Sequence, residues 1–302
     1  MKPKMNVLVL GCTGMLGSTV SRYLSKNNEI NLTLSSRKIN DMGPIPKNIE
    51  VVEFDINHFS LDKLRSILSG KDYVINCIGL IQQKIEINKS KPSDFFLINS
   101  ILPNLIDQIQ PTLGCKIIQI GTDCVFDGKV GNYSETSSLN ATDNYGLSKK
   151  LAEKNLANSL VLRTSVVGLE DKYKLSLLEW FINQPRNATV NGFRNHIWNG
   201  ITTMHFAKIV EGIILNDSYF TGLQHVLPEG VISKYHLLKL FAKHFNREDI
   251  RIIEKDDHSY INRSLTTNSR ERNIELWKLA RYEIPPKIEF MVEELSNAKV
   301  ST

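Results

Sequence analysis

Short apolar runs alternate with amphipathic stretches through the first half of the chain. The runs are continuously apolar, which is typical of strands buried on both faces of a parallel sheet. Their alternation with helical patterns predicts an α/β fold with a Rossmann-type, doubly wound parallel sheet. Pro103 lies inside one helical pattern, which it should kink or break. The predicted strands cover residues 6–10, 31–35, 50–54, 73–77, 116–120 and 160–163, and the predicted helices cover 16–25, 60–68, 92–109 and 145–157.

The alternation weakens after about Val167. The polar stretch Asp256–Arg272 carries no predicted element, and no glycine-serine linker interrupts the chain. We therefore predict a dinucleotide-binding domain over residues 1–168 and a smaller C-terminal substrate-binding lobe over 169–302, packed on the sheet. Helical patterns in this lobe cover residues 175–183, 204–215, 233–245 and 288–295, and short strand patterns cover 223–227 and 251–254.

Composition narrows the range of partners. The 302 residues include 37 basic and 32 acidic side chains, a net charge of +5, which mildly favours anionic ligands such as nucleotides. The sequence has no long Lys/Arg run and no ladder of basic and aromatic residues, so we expect no nucleic-acid partner. No apolar stretch approaches about 18 residues, so we expect no membrane span. The four cysteines show neither a CxxC pair nor zinc-ligand spacing, and buried free thiols fit a reducing, cytoplasmic location.

A glycine-rich turn follows the first predicted strand, in Val7-Leu-Val-Leu-Gly11-Cys-Thr-Gly14-Met-Leu-Gly17. Glycine lets the backbone turn tightly and approach a pyrophosphate, whose charge then lies at a helix N-terminus. The spacing is GxxGxxG rather than GxGxxG. Its position between a strand and a helix predicts a dinucleotide site. The predicted contacts from this turn are Gly11, Thr13, Gly14, Met15, Leu16 and Gly17.

The ends of the next strands predict the rest of the cofactor site. No acid follows the second strand, where an NAD-selective site usually carries one for the ribose 2′-hydroxyl. Arg37 and Lys38, which follow Ser36, can pair instead with a 2′-phosphate, a bidentate task that suits arginine, so we expect NADP(H) rather than NAD(H). Asp55 can reach the adenine end, although an acid at a strand end is also a common helix cap. The further predicted cofactor contacts are Ile56, Cys77, Ile78 and Gly79.

Tyr145 and Lys149 carry the predicted chemistry. Residues four apart on a helix share a face, so the phenol and the ammonium can act on one substrate atom. A free tyrosine has a pKa near 10, and a nearby ammonium lowers it. Lys149 can also bind the cofactor ribose, which makes both residues cofactor contacts as well. Thr122, just after the fifth strand, is placed to hold a carbonyl oxygen. The three groups predict carbonyl reduction by a nicotinamide cofactor.

This order of motifs resembles the extended short-chain dehydrogenase/reductase superfamily, and more closely the dTDP-4-dehydrorhamnose reductase family. The segments that carry the resemblance are Gly121-Thr-Asp-Cys-Val-Phe-Asp-Gly128, Tyr133-x-Glu135, Tyr145-Gly-Leu-Ser-Lys149 and Arg163-Thr-Ser-Val-Val-Gly168. It covers about the first 170 residues, and it implies Thr122, Tyr145 and Lys149 as the catalytic trio. The family commonly has tyrosine, associated with the substrate sugar, where this chain has Cys124. The resemblance therefore leaves the sugar open.

Substrate contacts are expected beside the trio and in the lobe. Asp123 and Cys124 adjoin Thr122. The segment 192–203 is dense in Gly, Asn and aromatic residues, and in it Arg194 and His196 can meet phosphates while Trp198 can stack. Arg263 and Arg270 are further candidates. The histidines form no HExxH or other helical metal pair, so we predict no metal site.

Three functions follow, in order of preference. The first is an NADPH-dependent reductase of a nucleotide-activated 4-keto-6-deoxy sugar, acting in sugar-nucleotide and polysaccharide biosynthesis. The second is an epimerase or dehydratase of the same superfamily, for which Asp123 beside Thr122 could supply an acid. The third is a regulatory subunit that binds the cofactor without turnover. A nucleotide sugar is the expected partner, and a homodimer is the candidate assembly.

Overall fold

The computed structural model describes residues 3–42, 46, 48–83 and 91–300. In chain order, the strands within these ranges are β1 Met5–Leu10, β2 Ile30–Ser36, β3 Glu50–Glu53, β4 Tyr73–Asn76, β5 Lys116–Gly121, β6 Leu160–Arg163, β7 Val166–Val167, β8 Thr189–Phe193, β9 His196–Trp198, β10 Ile201–Thr202, β11 Gly222–His225, β12 Ile232–Ser233, β13 Arg251–Lys255 and β14 Ile261–Asn262. The helices are α1 Met15–Leu24, α2 Leu61–Leu68, α3 Pro92–Phe96, α4 Leu102–Leu113, α5 Asn144–Glu153, α6 Leu177–Ile182, α7 Thr203–Leu215, α8 Lys234–His244, α9 Arg270–Leu279 and α10 Ile288–Val300.

A seven-stranded sheet in the order β11-β6-β5-β4-β1-β2-β3 forms the centre of the molecule. Every neighbouring pair in it is parallel. This confirms the predicted Rossmann-type sheet. The chain winds outward in both directions from β1, so a crevice forms where the carboxyl ends of β1 and β4 meet. Leu10 pairs with both Ser35 and Asn76, which brings the residues after β1, β2 and β4 to one edge.

The strand core explains why the apolar runs are continuous. All four residues of β1 from Val7 to Leu10 are fully buried. Val7 and Val9 pack with Val20 of α1 in one core, and Leu8 and Leu10 pack with α2 and α4 in the other. Because helices cover both faces of the sheet, neither set of side chains can be polar.

The helix containing Pro103 is interrupted, as predicted. A π-helical turn over Leu97–Ile101 separates α3 from α4, and Pro103 lies at the start of α4. The absent proline N–H is harmless in a first turn, so the helix resumes there. One predicted helix end was wrong. The helix predicted over 145–157 is too long at its C-terminal end. The observed helix α5 ends at Glu153, and the next residues form a turn that leads to β6.

The second half of the chain contributes to the central layer as well as to the lobe. The predicted strand over 223–227 is β11, which lies at the edge of the main sheet beside β6. Helix α7 packs against α1. The predicted boundary at residue 168 is therefore not a boundary of the sheet. The polar stretch 256–272, for which no element was predicted, contains β14 and the start of α9. No helix of the described ranges is long and apolar enough to span a bilayer.

Candidate active site

A cleft at the crevice between β1 and β4 contains most of the residues predicted to bind the cofactor. It is lined by the predicted residues Gly11, Thr13, Gly14, Ser36, Arg37, Ile56, Cys77, Ile78 and Gly79, and by Ser35, Phe54, Asn57, Leu80, Ile98 and Tyr173. Met15, Leu16 and Gly17 lie behind this lining in α1, where they set the geometry of the turn. Their cofactor-binding roles stay predictions.

The glycine turn has the shape that a pyrophosphate needs. Gly11 adopts a φ of +77°, and a side chain there would meet Ile78 Cγ1 at 2.9 Å. A side chain on Gly17 would overlap the Gly11 carbonyl. Gly14 caps α1 without a side chain, and a methyl group there would lie 3.6 Å from the nearest atom. The first amides of α1 therefore face an open cradle, which fits an anionic phosphate.

At the end of the cleft that follows β2, the described lining includes the cation Arg37 and no acid. Arg37 Nη2 donates a hydrogen bond to the Tyr173 hydroxyl at 3.3 Å, at an exposed position. Asp55, by contrast, caps the turn Ile56–His58 by accepting hydrogen bonds from Asn57 N at 3.0 Å and Asn57 Nδ2 at 3.1 Å. Asp55 therefore caps this turn, and its predicted contact with the adenine end stays a prediction.

The three predicted catalytic residues converge next to this cleft. The Thr122 side chain lies close enough to the Tyr145 phenol to lower its pKa by hydrogen bonding, against the larger effect of burial. Thr122 is held by the turn after β5, where its Oγ1 accepts a hydrogen bond from Cys124 N at 3.2 Å. Lys149 is 5% exposed, and a methyl group on the cleft residue Gly79 would lie 3.8 Å from its Nζ. The ammonium thus lies at the edge of the cofactor cleft.

Helix α5 is positioned by its own cap. Asp143 is the N-cap, and its Oδ1 accepts a hydrogen bond from Gly146 N at 2.9 Å. A side chain on Gly146 would overlap the Cys124 carbonyl oxygen, so glycine allows the first turn of α5 to pack against the turn after β5. This close packing brings Tyr145 to Thr122.

Burial controls the ionisation of these groups. Desolvation raises the pKa of Tyr145 above its ordinary value, which is the opposite of the direction predicted from the lysine four residues later. Desolvation also raises the pKa of Cys124 to about 12 and raises the pKa of Asp123. It lowers the pKa of Lys149, and Glu153 is the largest opposing influence. Tyr145 therefore carries its proton at neutral pH, as an acid catalyst must.

The predicted substrate residues of segment 192–203 make contacts within the protein. Arg194 Nε and Nη2 donate to Asp256 at 2.8 and 2.6 Å on the surface. His196 Nε2 lies 3.2 Å from Asp257. Trp198 is buried, and its Nε1 donates to Ser165 Oγ at 2.8 Å. Nothing in these contacts favours substrate binding by Arg194, and the substrate roles of all three residues stay predictions.

Two cations of the lobe, Lys234 and Arg263, lie near the residues that follow Thr122. Arg263 was predicted from the sequence and Lys234 was not. Arg263 and Lys234 act electrostatically on both Asp123 and Cys124. Lys234 Nζ lies 5.8 Å from the Trp198 ring centre, and Arg263 Nε donates to the Phe126 carbonyl at 2.9 Å. Lys234 is the first residue of α8, where a positive charge opposes the helix macrodipole. A lysine at this unfavourable position is the feature of the sequence that could have identified Lys234 as a functional residue.

The described residues form no candidate metal site. Within the described ranges, no three His, Cys, Asp or Glu side chains converge as metal ligands would. The four cysteines are free thiols.

Comparison with known proteins identifies the family of this chain. A family model described as the RmlD substrate binding domain matches residues 5–261. The comparison with curated protein sequences gives no significant match.

Solved structures share the fold over nearly the whole chain. A hypothetical dTDP-4-dehydrorhamnose reductase from Sulfolobus tokodaii is 25% identical, with a TM-score of 0.68 over 89% of this chain and 94% of that one. The Bacillus anthracis dTDP-4-dehydrorhamnose reductase in complex with NADP is 17% identical, with a TM-score of 0.73 over 99% and 100%. The B. anthracis dTDP-glucose 4,6-dehydratase in complex with NAD is 15% identical, with a TM-score of 0.74 over 99% and 97%.

Proposed function

This chain belongs to the RmlD substrate-binding-domain family, as its motifs predict, and from that premise we propose that it is an NADPH-dependent reductase of a nucleotide-activated 4-keto-6-deoxy sugar. The observation that carries the proposal is that Tyr145 lies beside Thr122, that Lys149 lies beside the cleft residue Gly79, and that Cys124 acts electrostatically on both Tyr145 and Lys149. The residues that line the cleft fit a dinucleotide, because the turn leaves an open cradle at the N-terminus of α1.

The proposed reaction divides the work among the three side chains. A nicotinamide, when bound, supplies hydride to the carbonyl carbon. Thr122 holds the carbonyl oxygen by hydrogen bonding, and Tyr145 donates its phenolic proton to that oxygen. The Lys149 ammonium stabilises the phenolate that remains. Because burial raises the pKa of Tyr145, the phenol is protonated before the reaction and depends on the ammonium afterwards.

The substrate is proposed to lie between the trio and the lobe. Asp123 and Cys124 adjoin the reacting centre and would contact the sugar. Lys234 and Arg263 bring two positive charges to the same region, which suits a diphosphate or other anionic oxygen. The protein would carry out this reaction in the cytoplasm, within sugar-nucleotide biosynthesis.

The preference for NADPH gives a testable prediction at Arg37. Replacing Arg37 with serine removes the one cleft-lining cation of the described residues, so we expect the KM for NADPH to rise by roughly 10–100-fold, as for loss of a charged hydrogen bond. The KM for NADH, which lacks the 2′-phosphate, should change little. Steady-state kinetics with both cofactors measures this. Lys38, the other cation predicted to meet the 2′-phosphate, does not line the cleft, so Lys38→Ser is the comparison and should change neither KM. Equal losses with both cofactors in Arg37→Ser would argue against a 2′-phosphate contact.

One observation favours an epimerase or dehydratase as a second candidate. Asp123 is buried beside Thr122, and desolvation raises its pKa, so it could act as an acid on the substrate. Such enzymes return the hydride to the sugar and show no net use of the cofactor.

The deciding experiment is a panel of nucleotide-linked 4-keto sugars and their 4-hydroxy precursors, assayed with NADPH and NADH in parallel. The reductase proposal expects stoichiometric loss of absorbance at the nicotinamide band with at least one 4-keto substrate. Product formed without net cofactor loss would identify an epimerase or dehydratase instead.

A further inference from the structure

Glu153, one turn beyond Lys149 on α5, is a buried carboxylate outside the trio. Arg163 of β6 forms an ion pair with it. The Glu153 side chain is 5% exposed and the Arg163 side chain is 1% exposed. Both Arg163 Nε, at 3.1 Å, and Arg163 Nη2 donate to the same oxygen, Oε2. The second oxygen, Oε1, is buried and has no hydrogen-bond partner among the described residues. A pair built only for stability would use both oxygens of the carboxylate.

The unpaired oxygen points toward the catalytic edge of the sheet. A methyl group on Gly121, the last residue of β5, would lie 2.9 Å from Oε1. The next residue after Gly121 is Thr122. The four-residue spacing of Lys149 and Glu153 also places both side chains on one face of α5. The carboxylate oxygen therefore lies beneath the trio, on the side of the helix that carries the ammonium.

The order of charges along α5 is unfavourable for the helix itself. A carboxylate at the C-terminal end opposes the macrodipole, and lysine four residues before glutamate is the weaker orientation of such a pair. Placing the carboxylate there thus calls for a reason other than helix stability.

We propose that Glu153 is a positioning residue of the reductase, whose free oxygen keeps the Lys149 side chain charged and oriented toward the cofactor cleft. This role rests on the proposed function. The groups that face Lys149 are Glu153 of α5, Cys77 after β4 and Cys124 after β5. Burial raises the pKa of both thiols to about 12, so they are neutral at pH 7. Glu153 is then the full negative charge that offsets the desolvation of the ammonium, and with little water nearby its effect is strong.

The test is Glu153→Gln, which keeps the shape of the side chain and removes its charge. We expect the midpoint for deprotonation of Lys149 to fall by about one pH unit. Spectra of protein labelled with ¹³Cε and ¹⁵Nζ lysine measure this midpoint without substrate, and Lys149→Met assigns the resonance. The alkaline limb of kcat/KM should move to lower pH by the same amount, because the charged ammonium is lost earlier. Glu153→Asp should restore part of the shift.

Glu135→Gln is the matched control. Glu135 belongs to the same buried network, since its Oε1 accepts from His225 N at 2.9 Å and His225 Nε2 lies 2.8 Å from Arg163 Nη1. It is not among the groups that act on Lys149. Both variants should melt at lower temperature, but only Glu153→Gln should move the Lys149 midpoint.

An unchanged midpoint in Glu153→Gln, or an equal shift in Glu135→Gln, would overturn the proposal. If Glu153→Gln does not fold, the ¹³Cδ resonance of Glu153 in the unmodified protein gives the answer. It should inflect at the Lys149 midpoint, and its failure to do so would also overturn the proposal. The NMR titrations of Lys149 and Glu153 need no turnover, unlike the kcat/KM profile, so a negative sugar panel would reject the reductase function while leaving the Glu153–Lys149 coupling measurable.

Discussion

Tyr145→Phe is expected to reduce kcat for carbonyl reduction by roughly 10²–10⁴-fold, the usual contribution of a positioned general acid. The phenol is the protonated group that meets Thr122, and burial raises its pKa so that it keeps its proton at neutral pH. Phenylalanine fills the same space, since the ring packs against Phe95 with centres 6.3 Å apart. The Kd for NADPH should therefore stay within about twofold, because the variant loses the phenolic hydroxyl and leaves the cofactor cleft unchanged.

Stopped-flow or steady-state loss of NADPH absorbance measures the first quantity, and fluorescence titration of NADPH measures the second. Tyr219→Phe is the control, because it also removes a partly buried phenolic hydroxyl, one that donates to the Asn158 carbonyl at 2.8 Å and is not among the groups that act on Tyr145 or Lys149. Turnover by Tyr145→Phe at the parent rate would remove Tyr145 from the mechanism.

The central sheet was largely predictable because its physics is local. A strand such as Val7–Leu10 is covered on both faces, so its sequence has to be apolar without interruption. Helix α9 escaped prediction for the opposite reason. Its sequence is highly charged, and of its residues only Asn273, Leu276 and Trp277 are buried, a stripe too narrow to stand out.

The catalytic trio was predictable where its spacing lies within one segment. Tyr145 and Lys149 share a helix, and Thr122 follows a strand whose position in the sheet was clear from the pattern. Lys234 approaches from a different part of the chain, so only tertiary packing brings it to Asp123. The direction of the Tyr145 pKa was wrong because burial, which the sequence does not give, outweighs the expected effect of a nearby ammonium.

Arg194 is a second residue whose contacts depend on tertiary packing that the sequence does not give. A cation in a loop rich in glycine and asparagine resembles a phosphate ligand. The parallel pairing of β8 with β13 brings Asp256 next to it, and the ion pair follows. A pairing between segments about sixty residues apart leaves no mark in either segment alone.

Gly17→Ala is expected to disable the cofactor site through the backbone rather than through a lost contact. The added methyl group would overlap the Gly11 carbonyl oxygen and lie 2.8 Å from the carbonyl carbon, and neither backbone atom can rotate away. The strand-to-helix turn must open, at a cost of about 3 kcal/mol, near the upper end for overpacking.

This loss should lower the melting temperature by roughly 5–10 °C and weaken NADPH binding at least tenfold, because the amides of α1 then no longer face the cradle. Thermal melts and fluorescence titration measure the two effects. Gly14→Ala provides the comparison within the same turn, since its methyl group would meet no atom closer than 3.6 Å and the fold should keep the parent melting temperature. If Gly17→Ala binds NADPH with the parent affinity, the close contact between Gly17 and Gly11 is not what shapes the cofactor cradle.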